Sequence, residues 1–276
     1  MKRFSWLFVV AGAACLPSHA LARECVNRYP APETMALTFD MAQNLRRSLD
    51  EMQPQADVVL LARGGQDLSR FGLVYSHLAF ALRDDQGQWR VVHELNRCKT
   101  GRSDLYREGL VNFIGEGVLR ADVLVLVPKV DLQVRLRQLL LASANGATQR
   151  LHEPRYSLVA YPFSTEYQNS NQWVLEVLAS AAMPGPPSTD RKQAQAWLRT
   201  AGYQPASLHI KLQERLAARF GIDNATTTDH PASERLTGDY SVVTVDSVAD
   251  FMRAKRWLAQ ELVVPRVTGA TGSATN

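Results

Sequence analysis

Residues 57–82, DVVLLARGGQDLSRFGLVYSHLAFAL, decide how this chain folds. Val58 to Ala62 is a near-continuous apolar run, the mark of a buried strand. Gly64-Gly65 breaks it, and Asp67, Ser69 and Arg70 follow on a polar connection with a short helical turn. Tyr75-Ser76-His77-Leu78-Ala79-Phe80-Ala81-Leu82 then reads as a second strand, apolar except for Ser76 and His77. A histidine entering a buried strand has two readings. It is either a core residue with both ring nitrogens satisfied, or a general base held on a rigid sheet.

Outward from this unit, the next strand comes quickly. Asp84 to Gln88 has the short side chains and glycine of a hairpin turn, and Trp89 to Leu95 is the returning strand. That places His77 and the His93/Glu94 pair on adjacent antiparallel strands. Upstream, residues 34–52 read as a helix stopped by Pro54. Downstream, residues 105–116 carry too many glycines for a long helix and read as irregular, residues 121–127 as a strand, and residues 131–144 as an amphipathic helix with Asp131 as its cap. Residues 156–161 read as a strand. Asn169-Ser170-Asn171 then opens an apolar helix, with Asn169 or Ser170 as N-cap. After the proline-rich break at 183–188, helices are expected over 190–200 and 205–220, a polar loop over 222–237, a strand over 240–245, and a helix from a Ser247–Asp250 capping signature to Leu262. The expected fold class is α+β: an antiparallel sheet packed against helices, with extra C-terminal helices from about residue 188. Residues 23–265 form one domain and residues 266–276 a Gly/Ser/Thr-rich disordered tail.

Composition narrows the function classes. The chain has 276 residues, 46% hydrophobic and 21% charged, which is ordinary for a globular protein. The formal charge is +4, of which Lys2 and Arg3 lie in a leader, so nucleic acid is not an expected partner. No CxxC pair, HExxH, GxGxxG or phosphate-binding loop is present, so no metal or other cofactor is expected. Residues 1–22 have the basic start, apolar run and Ala20-Leu21-Ala22 cleavage site of a signal peptide. The rival reading is lipoprotein processing at Cys15. The run is too short to span a bilayer, and the expected destination is the periplasm or the exterior. Removal of Cys15 leaves Cys25 and Cys98 as a disulfide in an oxidising compartment, with a catalytic Cys98 thiolate between Arg97 and Lys99 as the alternative.

A nucleophile that needs a base is well placed at a helix N-terminus. Three stretches together carry a resemblance. Asp57…Arg63-Gly64-Gly65, then Tyr75-Ser76-His77-Leu78-Ala79, then Tyr167-Gln168-Asn169-Ser170-Asn171-Gln172-Trp173-Val174 resembles the circularly permuted papain-like, NlpC-type superfamily over residues 57–178. More narrowly, the mature chain resembles an exported bacterial family, the DUF2145-like domains of unknown function. The resemblance implies a permuted papain-like fold, with His77 as base and Ser170 where the superfamily carries its nucleophilic cysteine. It also implies an orienting polar residue from the next strand. Of Glu94 and His93 only one faces the cleft, and Glu94 is the expected one, because a carboxylate fixes the imidazole tautomer. Tyr75, Asn169 and His93 are the expected binding residues. The implied activity is hydrolysis or acyl transfer at amide or ester bonds of a cell-wall peptide or lipid fragment. The alternative is an inactive binding module that keeps the cleft, since a serine needs a true general base and an oxyanion hole where a thiolate does not.

Overall fold

A computed structural model describes residues 30–52, 56–98, 100–116, 120–141, 146–215 and 224–265. The expected leader, Cys25 and the expected tail from residue 266 lie outside these. The fold is α+β, built on a six-stranded antiparallel sheet. Its strands are β1 (Val58–Arg63), β2 (His77–Arg83), β3 (Trp89–Asn96), β4 (Ser103–Glu108), β5 (Asp122–Pro128) and β8 (Leu258–Pro265), in the order β4-β3-β2-β1-β5-β8. Every neighbouring pair is antiparallel, with Arg63 opposite His77 and Val59 opposite Ala81.

Helices cover both faces, and this explains the unbroken apolar runs. Leu60, Ala62, Leu78, Phe80 and Leu82 pack against α3 (Val130–Leu141) and α5 (Ser170–Ala182), where Leu136, Trp173 and Leu178 meet them. Val59, Leu61, Ala79 and Ala81 pack against α1 (Pro32–Glu51) and α2 (Leu110–Gly115), through Met41, Leu45, Leu49 and Phe113. A strand buried on both sides has no polar face to alternate with. Burying a Leu-sized side chain contributes about 1.5–3 kcal/mol, so these two layers supply most of the drive to fold. Gln133 caps the start of β1: its Oε1 accepts from the amides of Asp57 (2.9 Å) and Val58 (3.0 Å), and its Nε2 donates to the Pro128 carbonyl (2.7 Å).

Several expected elements differ. Residues 105–116 are not irregular, because β4 and α2 divide them at Gly109. Residues 156–161 are not a strand and make only an isolated bridge from Tyr156 to Gln168. The C-terminal third is not simply helical. It contains α6 (Arg191–Thr200), α7 (Ala232–Thr237) and α8 (Val245–Ala254), and also β6 (Ala206–His209), β7 (Asp239–Val242) and β8. β6 and β7 pair as a separate two-stranded ribbon, which gives the 240–245 segment its partner. Helix α8 is capped by Thr244, with Ser247 as the reciprocal member of a capping box. It stops at Ala254, and Leu258 starts the strand that joins β5. The short helix α4 (Ala147–Arg150) completes the set used below.

Candidate active site

His77 is the first residue of β2, and Ser170 is the first helical residue of α5. One side chain caps the helix and a second ties it to β2. Asn169 is the N-cap: its Oδ1 accepts from the Gln172 amide at 2.8 Å. Asn171 bridges to β2 on both sides of His77. Its Oδ1 accepts from the Leu78 amide at 2.9 Å, and its Nδ2 donates to the Ser76 carbonyl at 3.3 Å. Ser76 in turn folds the Gly64-Gly65 turn inward, its Oγ accepting from the amides of Gly65 (2.9 Å) and Gln66 (3.1 Å). A Cβ on Gly65 would come 2.8 Å from Arg63 Nη1, so a larger residue there would have to displace the end of that guanidinium.

The result is a chain of side chains. Ser170 Oγ lies 3.1 Å from His77 Nδ1, His77 Nε2 lies 2.8 Å from His93 Nδ1, and His93 Nε2 lies 3.0 Å from Glu108 Oε1. The partners fix the tautomers. Glu108 only accepts, so His93 carries its proton on Nε2 and offers Nδ1 as acceptor. His77 then carries its proton on Nε2 and leaves Nδ1 bare toward the serine hydroxyl. Phe113 packs against both imidazoles, with ring centroids 6.0 Å from His77 and 5.7 Å from His93. His93 is fully buried and His77 and Ser170 nearly so. This arrangement can take a proton from a serine hydroxyl and return it to a leaving group. The first-turn amides of α5 and its dipole favour negative charge at the same point.

The residue that orients His77 is His93, not Glu94. Successive β3 side chains point to opposite faces. His93 shares the α2 face with His77, whereas Glu94 faces α5. There Glu94 is fully buried, and burial pushes its carboxyl up to about 8. The neighbouring Ser103 hydroxyl, which also contacts His152 Nε2 at 3.0 Å, opposes that rise without cancelling it. Of the expected binding residues, Tyr75 and Asn169 line the cavity beside Ser170, while His93 is sealed away from it. Cys98 follows β3 at an exposed turn, and its expected partner Cys25 lies outside the described residues.

Other residues of the site were not legible in the sequence. Glu108 sits on a strand read as irregular. Tyr156 lines the cavity next to Ser170; burial raises its phenol pKa, and contact with the Ser170 hydroxyl and amide opposes that rise. Glu176 is fully buried on α5 and binds Arg191 (Nε 2.7 Å, Nη2 3.1 Å), Gln195 (2.8 Å) and Gln168 (2.6 Å). Arg191 also donates to the Thr165 and Tyr167 carbonyls, so this knot fixes the segment leading into Ser170. A lone carboxylate in an otherwise apolar helix was the one available signal. The His93, Glu108 and Glu116 donor atoms lie within 4.8 Å of one another, a spacing open to a metal ion. Arg63 already pairs with Glu116 at 2.8 Å, and the His93 Nε2 proton already serves Glu108, so the protein's own groups engage these donor atoms.

No curated protein and no solved structure matches the chain. One family does, over residues 49–252, from the last turn of α1 into α8, and it includes every residue of the relay. The chain therefore belongs to the DUF2145 family, described as uncharacterised proteins conserved in bacteria.

Proposed function

We propose that this chain is an exported serine-dependent hydrolase or acyltransferase of permuted papain-like design, acting on amide or ester bonds. The observation that carries the reading is the continuous contact from Ser170 Oγ through His77 and His93 to Glu108. In the proposed reaction, Ser170 Oγ attacks the acyl carbonyl carbon while its proton passes to His77 Nδ1. The negative charge on the carbonyl oxygen is met by the first-turn amides of α5 and by the Tyr156 hydroxyl. The tetrahedral adduct collapses, the bond to the leaving oxygen or nitrogen breaks, and His77 returns the proton to that group. Water or an acceptor alcohol then attacks the acyl-serine, with His77 taking the proton of the attacking group and giving it back to Ser170. His93 and Glu108 hold the His77 tautomer and stabilise the imidazolium that forms between the two transfers.

Export follows from the leader at residues 1–22, and a Cys25–Cys98 disulfide would be compatible with that destination. A serine-directed fluorophosphonate tests the central claim. Labelling of the mature protein that disappears in both Ser170→Ala and His77→Ala sustains it. A folded wild type that resists the probe across neutral pH overturns it, and leaves the inactive binding module as the reading of the cleft.

A further inference from the structure

A cavity of about 590 Å³ opens beside Ser170. Its reactive end is formed by Tyr156, Ser170 and Asn171, and the rest is walled by Phe71, Leu73, Leu158, Leu208, Ile210 and Val242, among others. These come from three separate pieces of chain: the connection between β1 and β2, the segment after Tyr156, and the β6–β7 ribbon. The ribbon shows what the wall is for. Leu208, Tyr240 and Val242 turn inward and pack with Ile210 and Val159. On the outer side lie Ser207 and the exposed His209–Asp239 pair at 2.8 Å. A two-stranded ribbon is marginal alone; here its apolar side is spent on lining a hole rather than filling a core.

The charged residues of the lining, Glu214, Arg215 and Arg235, are half-buried or exposed. Glu214 pairs with Arg70, Arg215 donates to the Arg235 carbonyl at 2.7 Å, and Arg235 is exposed. The fully buried part of the lining is uncharged, so a charged group drawn down to Tyr156 and Ser170 would lose its water without meeting an opposite charge; the lining's cations are the half-buried Arg215 and the exposed Arg235. A hydrocarbon chain has no charge to desolvate, and it would meet mostly apolar wall. The volume lies within the range of small-molecule sites. At roughly 30 Å³ per water-sized group, it has room for roughly twenty such groups.

We propose that the cavity binds the hydrocarbon chain of an acyl ester, so that the substrate class is a medium- to long-chain acyl ester rather than a cell-wall peptide. This rests on Ser170 being the nucleophile, because the chain in the cavity then delivers its carbonyl to Oγ. Two measurements keep the two claims apart. The first is binding of a fluorescent dodecanoyl amide, which cannot be cleaved by Ser170→Ala, to that folded variant. Saturable binding, weakened more than tenfold in Ser170→Ala/Leu208→Trp and displaced by dodecanoate but not by a charged tripeptide, is the expected result. Absence of binding to folded Ser170→Ala, or displacement by the tripeptide alone, overturns the acyl site whatever the activity. The second is wild-type turnover of nitrophenyl esters from acetyl to dodecanoyl, beside phospholipid vesicles with the same chains. The expected kcat/KM rises by up to about fourfold per methylene until the cavity is full. Turnover of vesicle lipid identifies membrane lipid as the source, and turnover of soluble esters alone identifies a free ester. Tight acyl binding with no turnover of either sustains the acyl site and sinks the nucleophile. A flat chain-length profile overturns the acyl site.

Discussion

His93 and Glu94 are neighbours on β3, both fully buried, yet the protein treats them in opposite ways. Both ring nitrogens of His93 are engaged, one by His77 and one by Glu108. Glu94 points the other way, to the side beneath α5, where Ser103 is its neighbour and, among the described residues, no histidine meets it. The first environment joins its groups in one line of contacts along which a charge can be shared. The second suppresses one, because burial holds the Glu94 carboxyl protonated at neutral pH. A single step along a strand therefore separates a relay from a neutral acid. Side-chain alternation, not residue chemistry, decides which of the two can serve the imidazole.

The largest test of that contrast is deletion on the relay side. His77→Ala and Ser170→Ala are expected to lower esterase activity by about a thousandfold or more while unfolding at temperatures near wild type, whereas Glu94→Gln should keep most of the activity. Equal losses from Glu94→Gln and His77→Ala would break the contrast. Next in size is Glu108→Gln, which leaves His93 free to take either tautomer. A drop in kcat of about tenfold to a hundredfold, with KM nearly unchanged, is expected in steady-state assays; a pure KM effect would remove Glu108 from the relay. Geometry can be tested without catalysis by Ser170→Cys. A thiol at a helix N-terminus beside His77 should ionise below the usual 8.5 or so and react with iodoacetamide at pH 6 to 7. Reactivity that appears only above pH 8 would show that the imidazole does not reach it.

The Glu94 side of the comparison is read by stability. Its folded pKa, about 8, lies above the ordinary carboxylate value of 4.5. The folded state therefore holds a proton between those values that the unfolded chain has released. The stability it contributes is complete below pH 4.5 and is lost as pH rises toward 8. Glu94→Gln removes that dependence. Its unfolding temperature relative to wild type should be higher at pH 9 than at pH 5, by roughly 5 to 10 °C. A difference that does not change with pH would mean that Glu94 is ionised in the fold. The smallest effect is Asn169→Ala, where loss of the cap should cost about 1 kcal/mol in denaturant unfolding. The Ser170 to His77 contact should loosen with it.

Which of these features could be read in advance follows from where their causes lie. The β1–β2–β3 meander was legible because the apolar runs, the Gly-Gly turn and the Asp84–Gln88 turn are all local signals. So were Asn169-Ser170 at the mouth of an apolar helix and the histidine on the facing strand. The choice between His93 and Glu94 was not, because one residue of register inverts the face and nothing local fixes it. β4 was hidden by its polar composition: as an edge strand, half of it faces water. β8 was hidden because Leu258 to Leu262 reads as the end of the preceding helix, and only pairing with β5 makes it a strand. The Asn171 bridge and the Glu176–Arg191 knot depend on partners far along the chain, so no window of sequence displays them.

That final strand has a consequence of its own. Asp122 pairs with Pro265, and Asn44 on α1 donates to the Pro265 carbonyl at 2.6 Å, so β8 closes a sheet whose other members were made long before. Until they arrive, β5 offers a bare hydrogen-bonding edge to any extended chain nearby. Closure over so wide a loop is slow. A chain cut just ahead of Leu258 would therefore keep the whole relay in its sequence and still be drawn toward clumping, which makes the far end of the polypeptide the latch on a fold whose chemistry sits elsewhere.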